Sequence, residues 1–133
     1  MLKRGDAILM PKKYADATPH VWILLTDPAE DQAAIVNVTT LRNHPDQTVI
    51  LKVGDHPYIT HDSIIFYADA RIVPVTPIEE GLKMNTPIFR KLESCSTELI
   101  KRISEGVFAS DFTPNKVIDY CAKQWGTEKP SQS

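Results

Sequence analysis

The sequence predicts an α+β domain, mainly β, in which a small antiparallel barrel or half-barrel is followed by two or three helices. Three observations predict it. Between Asp6 and Val75 the chain runs through short β-branched or aliphatic stretches bounded by Pro, Asp, Asn or Gly, each the length of a strand. No segment of helical period separates them, so consecutive strands pair through tight connections and βαβ units are not expected. After Val75, three Thr-Pro pairs each open an apolar pattern of helical spacing. A chain of 133 residues is the size of a single domain with one core. The expected division is a β-barrel over residues 1–75, a helical part over 76–125 and a flexible tail over 126–133.

The strands are expected, in order, at AILM (7–10), HVWILLT (20–26), AAIVNVTT (33–40), TVILKV (48–53), SIIFYA (63–68) and RIVPV (71–75). TVILKV and the stretch from Ile35 to Thr40 alternate with the two-residue period of a sheet that has one wet face. VWILL is apolar throughout and suits a central strand. Thr76-Pro77-Ile78-Glu79 offers a hydroxyl at N-cap, proline at N1 and glutamate at N3, a capping box that starts a short helix. Thr86-Pro87 is expected to open a long helix whose stripe is Ile88, Phe89, Leu92, Ser96, Leu99, Ile100, Ile103 and Val107. Thr113-Pro114 begins a third, with Val117, Ile118, Cys121 and Trp125 on one side. Cys95 and Cys121 then fall in two helices, without the paired spacing of a zinc knuckle or redox motif, and read as reduced core thiols.

Composition excludes several classes. Hydrophobic content of 42% and charged content of 24% are those of a globular protein, and the longest apolar runs are too short to cross a bilayer, so no membrane association is expected. The segment MLKRGDAILMP lacks the apolar core and cleavage site of a signal peptide, which points to a cytoplasmic protein. Residues 1–67 hold six Lys/Arg against eight Asp/Glu, which argues against a strongly basic nucleic-acid surface.

Sheet cores do not require the polar set His20, Thr39, Thr40, Arg42, His44, His56 and His61, all at strand ends or in loops. The segment VGDHPYITHDS (53–63) raises the question most sharply, with an aspartate before His56 and another after His61. A metal fits poorly there. The His-x4-His spacing is not that of a helical zinc pair, Pro57 and Ile59 disfavour a helix, and a third ligand is missing. No Gly-x-Ser-x-Gly elbow, no Cys beside a His and no glycine-rich phosphate loop occurs, so acyl transfer and nucleotide-dependent chemistry have no foothold, and no cofactor is expected. What remains is acid–base chemistry with a cation. RNA supplies its own nucleophile, the 2′-hydroxyl, so cleavage needs only a base, a donor for the leaving oxygen and groups that hold the phosphorane. Histidine suits the first two roles, and Thr40 with Arg42 the third. Thr39 and Thr40 are neighbours, so on a strand only one faces a given side; Arg42 shares the parity of Thr40.

The order of motifs resembles the PemK/MazF family of toxins from bacterial toxin–antitoxin pairs. Arg4-Gly5-Asp6-Ala7-Ile8-Leu9 is similar to the family's first strand with its Gly-Asp, and His20-Val21-Trp22-Ile23-Leu24-Leu25-Thr26 stands where the second strand begins Arg-Pro. Ile35-Val36-Asn37-Val38-Thr39-Thr40 looks like the third strand, with Thr40 at the functional hydroxyl. Thr48-Val49-Ile50-Leu51 and Ser63-Ile64-Ile65-Phe66-Tyr67-Ala68-Asp69-Ala70-Arg71-Ile72 follow. The resemblance spans residues 4–107 and implies an SH3-like barrel, a homodimer, metal-independent cleavage of single-stranded RNA and neutralisation by a cognate antitoxin. Two departures stand out: His20 occupies the place of the catalytic arginine, and the first loop, Lys12 to Pro19, is short and lacks the Arg-Pro pair after it. On this reading the catalytic residues are His20, Thr40, His56 and His61, with His20 or His56 as base and His61 as acid. Arg42, Lys12, Lys13 and Lys52 bind the substrate. A second reading keeps the barrel and drops the chemistry: a binding module for protein or nucleic acid, whose polar loop residues are contacts and caps.

Overall fold

The computed structural model describes residues 1–13 and 16–127. The elements are β1 (Ala7–Lys13), β2 (Asp16–Leu24), β3 (Gln32–Thr40), β4 (Ile50–Leu51), β5 (Ser63–Pro74), α1 (Thr76–Met84), β6 (Arg90–Lys91), α2 (Thr97–Ala109) and α3 (Asn115–Trp125). The strands form one antiparallel sheet in the order β4-β5-β3-β2-β1-β6, curled into a half-barrel, so the fold class is the α+β arrangement that the pattern predicts. Among the described residues no helix is long and apolar enough to cross a membrane. The expected tail lies, from residue 128, outside the described residues.

Side-chain alternation sends each strand into two cores. Leu9, Val21, Ile23, Val36, Val38, Leu51, Ile65 and Tyr67 face inward and meet Leu99, Ile103 and Val107 of α2 and Val117 and Cys121 of α3. Ile8, Met10, Trp22, Leu24 and Ile35 face the other way, against Val75, Ile78 and Phe89. A strand covered on both sides must be apolar at every position, which is why Val21-Trp22-Ile23-Leu24 forms the C-terminal part of β2.

The runs SIIFYA and RIVPV, expected as two strands, are one. Ile35 of β3 pairs with Arg71 and Asn37 with Phe66, so residues 67–70 of β5 stand opposite Val36 alone. The surplus forms a bulge that bends the strand without ending it, and such a bend adds to the curl of a sheet.

The long helix expected from Thr86 begins eleven residues later, at Thr97. Asn85 closes α1 in a left-handed conformation (φ 48°), and Thr86 and Phe89 then exchange backbone hydrogen bonds across a turn. Proline suits that turn as well as it suits a helix start. Arg90 and Lys91 add the edge strand β6 to β1. Phe89 packs in the outer core and Leu92 against the inner one, so their spacing of three serves two faces of extended chain. Cys95 consequently sits in extended chain, half-buried, its N–H bonded to Gly5 O at 2.8 Å, while Cys121 is buried in α3. The α2 cap is Ser96, whose hydroxyl accepts the Leu99 N–H at 3.1 Å.

The other two expected caps also shift. Val75 is the N-cap of α1, and Thr76 gives both its N–H (3.0 Å) and its hydroxyl (2.7 Å) to the Asp31 carboxylate, tying the helix to the β2–β3 connection. Pro114 precedes α3, and the Thr113 hydroxyl is buried without a partner among the described residues.

Two buried carboxylates lock the ends of the fold. Asp6, after Gly5 at φ 91°, accepts from the Lys3 N–H and the Ser94 hydroxyl and pairs with Lys91 at 3.3 Å. Asp46 accepts from Thr48 and from the Ser110 hydroxyl at 2.8 Å, joining the β3–β4 connection to the end of α2.

Helix α2 approaches the sheet closely only because Gly106 lacks a Cβ: one added there would overlap Tyr67 Oη and crowd Val49. Tyr67 cannot yield, since it is fully buried and donates its hydroxyl to Ile103 O at 2.7 Å. Gly106→Ala is expected to destabilise the protein by about 2–3 kcal/mol despite alanine's better helix propensity. Urea unfolding measures this, and an unchanged midpoint would contradict the packing described.

Candidate functional site

A surface cavity of about 260 Å³ lies at the end of the half-barrel where β3 finishes and β5 begins, lined by Leu9, Pro19, His20, Val21, Val38, Thr39, Thr40, Tyr58, Ile59, Thr60, His61 and Ser63. Its floor is aliphatic, from inward positions of β1, β2 and β3. Its rim is polar. Thr40 follows Val36 and Val38 in strand parity and pairs with Ser63, which brings the loop before β5 onto it. The His61 ring stands between two hydroxyls, with Nε2 3.1 Å from Thr40 Oγ1 and Nδ1 3.2 Å from Thr60 Oγ1. The ring is exposed, so the pair meets solvent.

His20 borders the same cavity, half-buried and opposite Met10. In strand parity it goes with Trp22, whose ring is in the outer core, rather than with Val21.

His56 is placed differently. It is 7% exposed, its Nδ1 accepts the Tyr58 N–H at 3.0 Å, and its Nε2 donates to Glu93 O at 2.6 Å. An N–H partner on one side and a carbonyl on the other call for the tautomer that carries its proton on Nε2. Both nitrogens are thereby committed to backbone, and the ring staples the 52–62 loop to the chain after β6. Ile59, buried in the inner core, anchors the same loop.

The expected substrate-binding cations are dispersed. Lys12 pairs with Asp69 at 2.8 Å and lies over the Phe66 ring; Lys52 pairs with Asp62 at 3.1 Å in solvent. Arg42 is exposed in the turn after β3, with no ion pair among the described residues. The Lys13 side chain lies outside the described part of the structure. His44 is away from the cavity, edge-on to Phe66 at 4.9 Å, with Nδ1 accepting the Asp46 N–H.

Two residues missed by sequence reasoning belong here. Tyr58 lines the cavity at 41% exposure, and the Arg90 guanidinium lies 5.9 Å from its ring centroid. Arg90 pairs with Leu9 in register, which puts it on the cavity's side of the sheet. Tyr58 was visible as an aromatic inside a polar loop. Arg90 was hidden by its expected place in a helix.

On the opposite side of the sheet the β5 bulge presents Asp69 to Lys12, Arg71 and the buried Asn37 amide. Burial pushes its carboxyl up, but hydrogen bonds from Lys12, Arg71 and Asn37, together with the charge of Arg71, outweigh that and hold it below its ordinary range. Arg71 also lies over Trp22, 4.9 Å from the ring. Burial pushes both thiols up, Cys95 to about 11 with help from the charge of Asp6, and Cys121 to about 12 against the opposing pull of Arg4. Neither thiol is therefore a ready nucleophile.

Comparison with protein-family models, with curated proteins and with solved structures finds no match. Among the described residues no three His, Cys, Asp or Glu are grouped to hold a metal ion. The groups at the cavity make it suited to an anion and a planar ring: hydroxyls, imidazole and an aromatic line it, and the Arg90 guanidinium lies near that aromatic.

Two measurements check this assignment. His56→Ala should lower stability by about 1–2 kcal/mol, because it removes a buried side chain that partners two backbone groups, and should speed amide exchange across residues 54–60. His61→Ala, at an exposed site, should change stability by less than about 0.5 kcal/mol. Equal effects would refute the staple. A carboxyl held below its ordinary range contributes stability above the unfolded-state pKa and loses it as pH falls through the folded one. The stability gap between the parent and Asp69→Asn should therefore narrow as pH drops below about 4, read by urea unfolding at stepped pH.

Proposed function

We propose that the chain is a PemK/MazF-like toxin of a type II toxin–antitoxin pair: a cytoplasmic, metal-independent endoribonuclease on single-stranded RNA, whose active site is the cavity at Thr40 and His61. The observation that carries this reading is the approach of Thr40 Oγ1 to His61 Nε2, 3.1 Å, on the rim of a cavity that His20 also borders. The antiparallel half-barrel with trailing helices agrees with the resemblance in motif order.

The chemistry follows from what RNA brings. The 2′-hydroxyl gives its proton to His20, its oxygen bonds to phosphorus, the P–O5′ bond breaks, and His61 returns a proton to the leaving 5′-oxygen. The products are a 2′,3′-cyclic phosphate and a 5′-hydroxyl. Thr40 donates to a non-bridging oxygen, and Arg42 and Arg90 supply the positive charge that Lys12 and Lys52, already paired to carboxylates, do not. The base role is assigned to His20 because it borders the cavity, and not to His56, whose nitrogens both bond to backbone. A homodimer and a small antitoxin partner belong to the same reading.

The aliphatic floor and exposed Tyr58 favour a second reading, a binding module without turnover. RNA cleavage in excess EDTA separates the two. The parent should cut a mixed single-stranded pool, leaving 2′,3′-cyclic phosphate ends, and His61→Ala and Thr40→Val should each lose about 10²-fold or more. Binding without cleavage by a folded parent would establish the second reading in place of the first.

A further inference from the structure

Tyr58 is an aromatic side chain held in water by the architecture around it. Of the large apolar side chains left exposed among the described residues, Tyr58 and Phe112 are the aromatic ones, and of these two only Tyr58 lines the cavity. Its position is fixed from both sides. Its N–H is bonded to His56 Nδ1, His56 Nε2 bonds onward to Glu93 O, and the next residue, Ile59, is buried in the core with its own N–H on His56 O at 3.0 Å. The ring is thus presented on a stapled loop, with little ordering left to be lost on binding. Arg90 comes from the same segment that accepts the staple, and its guanidinium lies 5.9 Å from the ring centroid, at the outer edge of cation–π range.

We propose that Tyr58 is the platform on which one unpaired nucleobase of the bound strand stacks, with Arg90 flanking it and contacting the adjoining phosphate, so that the neighbouring phosphodiester is set against Thr40 and His61. This rests on the single-stranded RNA reading and deepens it: it identifies a base subsite and the residue that positions the strand. A nucleobase fits because every base offers a flat π-face to an aromatic ring, and the hydroxyls, imidazole and guanidinium beside that ring are groups that take a phosphate. Tyr58 is a positioning residue; the groups assigned to the reacting atoms are Thr40 and His61, which line the same cavity.

The test uses the full chain and single-stranded oligonucleotides carrying 2′-O-methyl at every position, which block the nucleophile and leave binding to be read alone. Parent and Tyr58→Phe should bind with similar affinity. Tyr58→Ala should bind about 5- to 100-fold more weakly, with an unchanged thermal midpoint. Walking one abasic position along the oligonucleotide should reveal a position at which loss of the base weakens the parent by a similar factor and Tyr58→Ala hardly at all, since the stacking pair is already gone. If the parent binds and Tyr58→Ala binds equally well, or if no abasic position couples to Tyr58, the platform is overturned while the RNA reading stands. A parent that binds no oligonucleotide overturns both and leaves Tyr58 as a contact for another kind of partner.

Discussion

The pairing of β3 with β5 is the constraint on which the rest of the structure depends. These strands run side by side over nearly their whole length, and their register decides what meets what at either end. At one end Thr40 faces Ser63, so the two residues before Ser63 must pass Thr40, and His61 arrives within hydrogen-bond reach of its hydroxyl. At the other end Gln32 faces Pro74, and Asp31, just beyond, takes the start of α1. Between them the bulge at residues 67–70 absorbs the mismatch in length and turns Asp69 toward its cations. A one-residue slip in this pair would exchange the two faces and dissolve both cores together.

A sheet with apolar residues on both sides needs two covers, and the helices provide them in a way that shapes the site. Helices α2 and α3 close the inner face, drawn in by the absence of a side chain at Gly106 and fastened at the Ser110–Asp46 bond. They leave uncovered the end where β3 and β5 meet, and there the 52–62 loop folds over aliphatic floor. Its geometry comes from His56. Burying an imidazole is tolerable here because both its nitrogens find backbone partners, and the outcome is a loop rigid enough to hold an aromatic in solvent. The segment that looked catalytic in the sequence thus divides between support and contact: His56 holds, Tyr58 and His61 face the cavity.

The same competition between uses explains the departures in the helical part. Thr-Pro is compatible with a helix start and with a turn, and local pattern does not choose between them. At Thr86 the choice is made by β1, which has an unfilled edge, and by Gly81, whose lack of a side chain leaves room for the Phe89 ring. At Thr76 the hydroxyl that would have capped its own helix finds a carboxylate from Asp31 instead, an ion-assisted bond stronger than the cap it replaces.

Alternation and uniform apolarity along the first 75 residues showed where the strands lie, though not their bounds or that 63–74 is one strand and 48–53 a strand only at Ile50–Leu51, and they gave the central place of β2 and the α+β class, because side-chain period is a local property written directly in residue order. Thr40 and His61 stood out in the sequence as polar residues for which a sheet core has no use, and the β3–β5 register brings them together. Only the tertiary structure decided that residues 86–96 are extended, that His56 is a staple, and that Arg90 stands beside Tyr58. The reason is physical: the partners that settle those questions are a strand edge, the carbonyl of Glu93 and a register with Leu9. Backbone groups are carried by every residue, so what they bind leaves no mark in the sequence.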